Sequence, residues 1–181
     1  MLKYIFVMGP TNVGKTTYIN NLKNCHGVSN VETLLTGQIL RKKYGEEYFK
    51  GQQAPEHTED EVIEILRNFI INNFKVENDK KICIIDGQPR SIRQLDMLYN
   101  LKLNGELLFN NSRCKCEIHY LYCSDEIRLK RLLSRDSNID KLLLSLKRFS
   151  NDELELNNIM MKMYKIGIHP LVTSINTGLK D

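Results

Sequence analysis

Leu2-Lys-Tyr-Ile-Phe-Val-Met8 runs straight into Gly9-Pro-Thr-Asn-Val-Gly-Lys-Thr16. The first stretch is short, apolar and aromatic-rich, and Gly-Pro stops it, so it reads as a buried strand. The second fits the pattern G-x4-G-K-S/T. Residues 15–23 read as a helix that starts inside the loop, which completes the strand–loop–helix context the pattern requires. In such a loop backbone N–H groups and the helix N-terminus converge on phosphate oxygens. The glycines let the backbone approach without a side chain intervening. The stretch therefore predicts nucleoside triphosphate binding by Gly9, Pro10, Thr11, Asn12, Val13, Gly14, Lys15, Thr16 and Thr17. Lys15 would reach the β- and γ-phosphates, and the Thr16 hydroxyl would join a Mg²⁺ shell.

Working outward, Val31–Leu35 predicts a second strand, Ile82–Ile85 a third, Glu117–Cys123 a fourth and Leu171–Ile175 a fifth. Helical patterns lie between them. One covers about 58–74, with Val62, Leu66, Phe69, Ile70 and Phe74 near a 3.6 period. Thr58 or Pro55 opens it, and Glu59, Asp60 and Glu61 sit where the helix dipole favours acids. Another runs from Ser91 to about Leu103. A third starts at a Ser124 cap and reaches Arg135, and a fourth covers 139–164 with a break near 150–152. Asn110–Arg113 reads as a loop. Alternating strands and helices imply an α/β fold, a five-stranded parallel sheet with helices on both faces. Ligands in such sheets bind beyond the carboxyl ends of the strands, here at Gly9, Thr36, Asp86 and Ser124.

The chain has 181 residues, 41% hydrophobic and 27% charged, which suits one globular domain and excludes disorder or a disulfide-stapled miniprotein. The net charge of +4 is too small to demand nucleic acid or an anionic membrane, but suits an anionic small molecule. No run approaches the ~18 apolar residues of a membrane span, and no signal-peptide cleavage site follows Met8. A cytoplasmic monomer is expected, with no nucleic-acid or membrane partner. The cysteines at 25, 83, 114, 116 and 123 fit free thiols in a reducing compartment. Cys114-x-Cys116 as a metal or redox pair is the alternative, without a third or fourth ligand at useful spacing. Arg128, Arg131 and Arg135 share one helix face. The four histidines carry no metal pattern, and Met160, Met161 and Met163 read as packing.

Asp86 ends an apolar strand beside the loop. It suits Mg²⁺, directly or through water, or equally a plain strand-ending turn. The context is Asp86-Gly-Gln-Pro-Arg90 followed by Gln94, with Thr36-Gly-Gln-Ile-Leu-Arg41 upstream. With the phosphate loop, these stretches resemble the adenylate kinase and nucleoside monophosphate kinase family over essentially the whole chain. The resemblance implies a single kinase domain over 1–181, with an acceptor-binding insert over 31–75 and a very short lid over 136–147. Arg41 and Arg90 would grip the acceptor monophosphate as bidentate forks. Gln94 would read the base, and Thr36, Gly37, Ala54 and Gly87 would line the acceptor site. Arg131, Arg135 and Arg148 match lid arginines that would act with Lys15 and Arg90 on the transferred group, Arg131 also touching ATP. Asp140 matches a lid aspartate. Arg128 has no family counterpart and reads as a surface residue. Thr16 and Asp86 would hold Mg²⁺.

The implied reaction is ATP plus a monophosphate giving two diphosphates, with AMP as the expected acceptor because Gln at position 94 goes with adenine. The chain departs from the family at Gln38 and Gln88, at Ile139, and near Ser137, where a lid arginine is usual. These departures keep two alternatives open: a (deoxy)nucleoside monophosphate kinase of other base specificity, and a catalytically weak ATP-binding regulatory module. A regulatory GTPase lacks its guanine-reading Asn-Lys-x-Asp here.

Overall fold

The first strand, β1 (Leu2–Met8), is buried on both faces, as its unbroken apolar sequence requires. Tyr4, Phe6 and Met8 enter one core cluster, and Ile5 and Val7 enter a second on the opposite face. A computed structural model describes residues 1–45, 57–76, 81–135 and 139–174, with the backbone alone over 57–58, at 135 and over 139–150. Ala54 lies outside the described residues.

The elements follow as α1 (Lys15–His26), β2 (Val31–Leu34), α2 (Thr36–Tyr44), α3 (His57–Lys75), β3 (Ile82–Asp86), α4 (Ile92–Asn100), β4 (Lys102–Leu103), β5 (Glu106–Leu107), β6 (Cys114–Tyr122), α5 (Asp125–Arg135), α6 (Ile139–Lys165) and β7 (Leu171–Ser174). The main sheet has five strands in the order β2-β3-β1-β6-β7, and every pairing is parallel. The expected α/β sheet is the observed one. Helices cover both faces: α2, α3, α4 and α6 supply Leu40, Leu66, Leu98 and Ile159 to the larger cluster, and α1 supplies Ile19 to the smaller. Tyr4 satisfies its buried hydroxyl by donating to the Ile70 carbonyl oxygen of α3 at 2.7 Å. His119, also buried, pairs Nδ1 with the Tyr18 hydroxyl at 2.8 Å and Nε2 with Glu117 at 3.1 Å. Burial opposes ionisation of Glu117, but Lys3, Lys115 and His119 outweigh it and hold the carboxyl down to about 2.

Strand order positions the site. β1 leads to β2 on one side of the sheet, and β3 leads to β6 on the other side of β1. The loops leaving β1 and β3 therefore part in opposite directions and open a crevice between Gly9 and Gly87.

Several local expectations change. The segment after Thr36 is a helix, α2, and the insert expected from residue 31 begins with β2, a strand of the central sheet. The helix expected to reach Leu103 stops at Asn100. A hairpin follows, turned by Asn104 (φ 51) and Gly105 (φ 86), an Asn-Gly pair suited to a tight primed turn. The fourth main-sheet strand starts at Cys114, earlier than Glu117, because Leu2 pairs with Cys114. α6 runs unbroken through 150–152, where no Gly or Pro interrupts it. The lid segment from Ile139 onward is the start of that helix. Cys114 and Cys116 point their thiols toward the Leu108 carbonyl oxygen, and no cluster of three or more His, Cys, Asp or Glu suited to a metal occurs among the described residues.

Candidate functional site

The phosphate loop spans the end of β1 and the start of α1. Gly9 has φ +143, and a Cβ there would fall 2.5 Å from the Leu121 carbonyl oxygen, so only glycine fits. Asn12 takes the left-handed conformation at φ 63, which Asn tolerates. Lys15 is the first residue of α1. Its Nζ donates to the carbonyl oxygens of Gly9 at 2.7 Å and Pro10 at 2.9 Å. Burial, then the Arg90 guanidinium, push the Lys15 pKa down to about 8, against the pull of Asp86 and Asp152. Thr16 and Thr17 are exposed on the first turn of α1.

Across the crevice, β3 delivers Asp86, whose Oδ1 is buried with no hydrogen-bond partner among the described residues. Gly87 follows with φ +71, and its amide donates to the Val7 carbonyl oxygen at 2.8 Å, fastening this turn to β1. The Arg90 guanidinium lies over Gly87: its Nε donates to the Gly87 carbonyl oxygen at 2.9 Å, and a Cβ at 87 would meet Nη2 at 3.1 Å. Gln94 is buried on α4, and its Oε1 accepts from the Arg90 backbone N–H at 2.7 Å. Ser91 caps α4 by accepting from the Gln94 N–H at 3.2 Å, and its hydroxyl donates to Glu59 of α3. Thr36 is buried at the start of α2. Arg41 is exposed one turn later, with its guanidinium 3.6 Å from where a Cβ of Gly37 would stand.

α5 and α6 close the third side. Arg131 Nη1 donates to the carbonyl oxygens of Val13 at 2.7 Å and Asn12 at 3.2 Å. Arg135 and Arg148 lie on α5 and α6, but their side chains, like that of Asp140, lie outside the described residues. Arg128 corrects its sequence reading. It is 1% exposed rather than on the surface, and packs beneath the loop with Nε donating to the Thr11 carbonyl oxygen at 3.3 Å. Its neighbours Asp125 and Glu153 accept from Nη1.

A small cavity joins these parts. It is lined by Gly9 from the loop, Gly87 and Arg90 from the turn after β3, and Asp152, Glu155 and Leu156 from α6. Burial raises the Glu155 pKa, with Asp152 and Glu59 adding to it and Arg90 opposing. A larger cavity of about 460 Å³ lies away from these residues, along β6 beside Phe109, Glu117 and His169. Reading the sequence assigned no site role to Asp152, Glu153 or Glu155, and placed Glu59 only among the first-turn acids of a helix. No motif spacing marks them, since each meets its partner only through the fold.

The arrangement is a cradle of amides and cations at the carboxyl ends of parallel strands, with a second arginine site facing it. Comparison with known proteins agrees with that class. A family model described as an AAA domain matches residues 5–157, and the chain belongs to that family. It is 27% identical over 173 residues to the adenylate kinase of Prochlorococcus marinus (strain MIT 9515), covering 95% of this chain and 84% of that protein. It is 28% identical to the adenylate kinase of Mycoplasmopsis pulmonis (strain UAB CTIP), over 75% of this chain and 59% of that one. Against the adenylate kinase of a Nitratiruptor species identity is 26%, over 91% of this chain and 77% of that one. The protein is an adenylate kinase-like P-loop kinase. No helix among the described residues is long and apolar enough to cross a membrane.

Proposed function

We propose that the protein is a nucleoside monophosphate kinase that moves the γ-phosphoryl group of ATP to AMP. The observation that carries this reading is the shared cavity: the phosphate loop, through Gly9, and the acceptor turn, through Gly87 and Arg90, border the same space. A nucleotide bound on each side would meet there end to end. Phosphoryl transfer needs positioning and charge neutralisation more than covalent participation by the protein. Lys15 and the loop amides would hold the donor phosphates, and Arg41 and Arg90 the acceptor phosphate. Arg131, Arg135 and Arg148 would stabilise charge on the transferred group, an effect worth about 10³–10⁵ in rate for such arginines. The acceptor phosphate is already anionic, so no general base is required.

Mg²⁺ fits the donor set present. The buried Asp86 Oδ1 without a partner among the described residues and the exposed Thr16 hydroxyl are hard oxygen donors of the kind this ion takes. Bound with ATP, the ion would neutralise charge on the β- and γ-phosphates. Gln94 supports AMP. Its Oε1 keeps a second lone pair beyond the Arg90 N–H, and its amide N–H groups remain donors, a pairing that suits adenine. We infer a cytoplasmic monomer, with an acceptor insert that follows β2 and ends near residue 75 and with the lid over 136–147.

A kinase for another base is the second reading. Gln88 favours it, being buried in the acceptor turn with Oε1 unpartnered among the described residues. The test is to incubate ATP and Mg²⁺ with each ribo- and deoxyribonucleoside monophosphate and separate the products. ADP formation with AMP but no diphosphate from CMP or UMP is expected, and equal use of every base would refute the Gln94 reading. Arg90→Ala should lower turnover by at least about 10³, and an unchanged rate would displace the acceptor site from Arg90. ATP binding without turnover of any acceptor would point instead to a regulatory module.

A further inference from the structure

Thr11 is tied to both helices that flank the lid segment. From α5, Arg128 Nε donates to its carbonyl oxygen at 3.3 Å. From α6, Asp152 Oδ2 accepts from its backbone N–H at 3.2 Å and also from its hydroxyl. The two helices are joined in turn, because Arg128 Nη1 donates to Asp125 at 2.9 Å and to Glu153. Arg131, nearly one turn along α5, takes the next two carbonyls, Asn12 at 3.2 Å and Val13 at 2.7 Å. Consecutive carbonyls of the loop, 11, 12 and 13, thus point at guanidinium groups of α5.

The geometry of the peptide gives this a consequence. The carbonyl of one residue and the N–H of the next share a planar unit and point in opposite directions. Carbonyls 11–13 drawn toward α5 turn the N–H groups of Asn12, Val13 and Gly14 the other way. Val13 N–H makes one long contact, 3.3 Å to the Pro10 carbonyl oxygen. Inward-facing amides of this kind are what an anion cradle consists of. Arg128 is fully buried, which is costly for a cation unless its hydrogen bonds are satisfied and placed.

We propose that Arg128, Asp152 and Glu153 are positioning residues that set the phosphate loop. They hold the peptides on either side of Thr11, and so fix which amides are offered to the donor nucleotide. This rests on the reading that the loop takes the phosphates of ATP. It does not require that an acceptor be phosphorylated.

The test uses the full chain and three readouts: ATP affinity by calorimetry, amide hydrogen exchange over residues 9–14, and kcat and KM for ATP and for AMP. Arg128→Met should weaken ATP binding by about 10- to 100-fold, the range expected for loss of charge-assisted hydrogen bonds, and speed exchange in the loop while β1 stays protected. Arg128→Lys should restore only part of the affinity, since one ammonium cannot bridge the partners a guanidinium fork reaches. Asp152→Ala should behave like Arg128→Met, and Asp152→Asn, which keeps an acceptor oxygen, should recover most of that loss. The KM for AMP should change less than the KM for ATP. A lowered Tm with unchanged ATP affinity and loop exchange would overturn the proposal, leaving these residues a purely structural role. If the wild-type chain binds ATP but phosphorylates no monophosphate, the kinase reading fails while the affinity and exchange measurements still decide this one.

Discussion

Lys15 is a cation held where a cation is disfavoured. Burial and Arg90 lower its pKa to about 8, and a triphosphate beside it would raise that value again by supplying anionic partners. Between about pH 8 and its ordinary value near 10.5, the free protein has lost a proton that the complex keeps. ATP binding should therefore take up a proton in that window, and affinity should fall as pH rises through 8. Calorimetry near pH 8.5, in two buffers of different ionisation heat, should detect uptake of about three quarters of a proton. Lys15→Met should abolish it, and a wild-type chain that takes up none would place Lys15 away from the phosphates. For folding, the folded pKa lies below the unfolded one. The charged lysine therefore costs the ligand-free fold stability below about pH 8, and that cost fades as pH rises toward 10.5. Lys15, Asp86 and Arg90 could be singled out in the sequence because short, fixed spacings from Gly9 and Gly87 mark them. Asp152 could not, because its partner Thr11 is 141 residues away along the chain.

Most elements were legible as units of periodic apolar sequence, and the errors cluster where a helix ends or begins. α4 stops at Asn100, where the Leu101 N–H reaches the Leu98 carbonyl oxygen as the chain turns extended into the hairpin. Asn104-Gly105 was the available signal, since both residues take positive φ. Gly105 has open space around its Cβ position, so a substitution there meets backbone strain alone. Gly105→Ala should destabilise the protein by about 1 kcal/mol, read from urea unfolding. ADP formation should be unchanged, because the hairpin takes no part in the crevice. A neutral substitution would mean the turn relaxes to another conformation. α2 went unread for a different reason: Thr36–Tyr44 contains few apolar residues, and only Thr36 and Leu40 are buried. α6 holds together where polar Ser150, Asn151 and Asp152 suggested a break, because no Gly or Pro interrupts the helix there.

At the scale of the molecule, two apolar layers sandwich one sheet, and the nucleotide crevice sits where the loops leaving β1 and β3 diverge. Binding in that crevice stabilises the whole fold by mass action. ATP at about 100 times its Kd should add about 2.7 kcal/mol, a rise in Tm of about 5–10 °C for a chain of this size. Lys15→Ala should remove that rise, and a wild-type Tm indifferent to ATP would contradict donor binding at this site. The amino-acid sequence alone determined the strand–loop–helix of the phosphate loop, the alternation that demands a parallel α/β sheet, and the Asp86–Arg90 turn that ends β3. All three follow from residues near one another in the chain, through backbone sterics and the period of apolar side chains. Only the tertiary structure decided that Arg128 is buried under the loop, that Asp152 and Glu155 enter the cavity, and that Gly9 faces Gly87. Those placements depend on strand order and on the packing of α5 and α6 against the loop. Chain segments more than a hundred residues apart meet there, and no local pattern records the meeting.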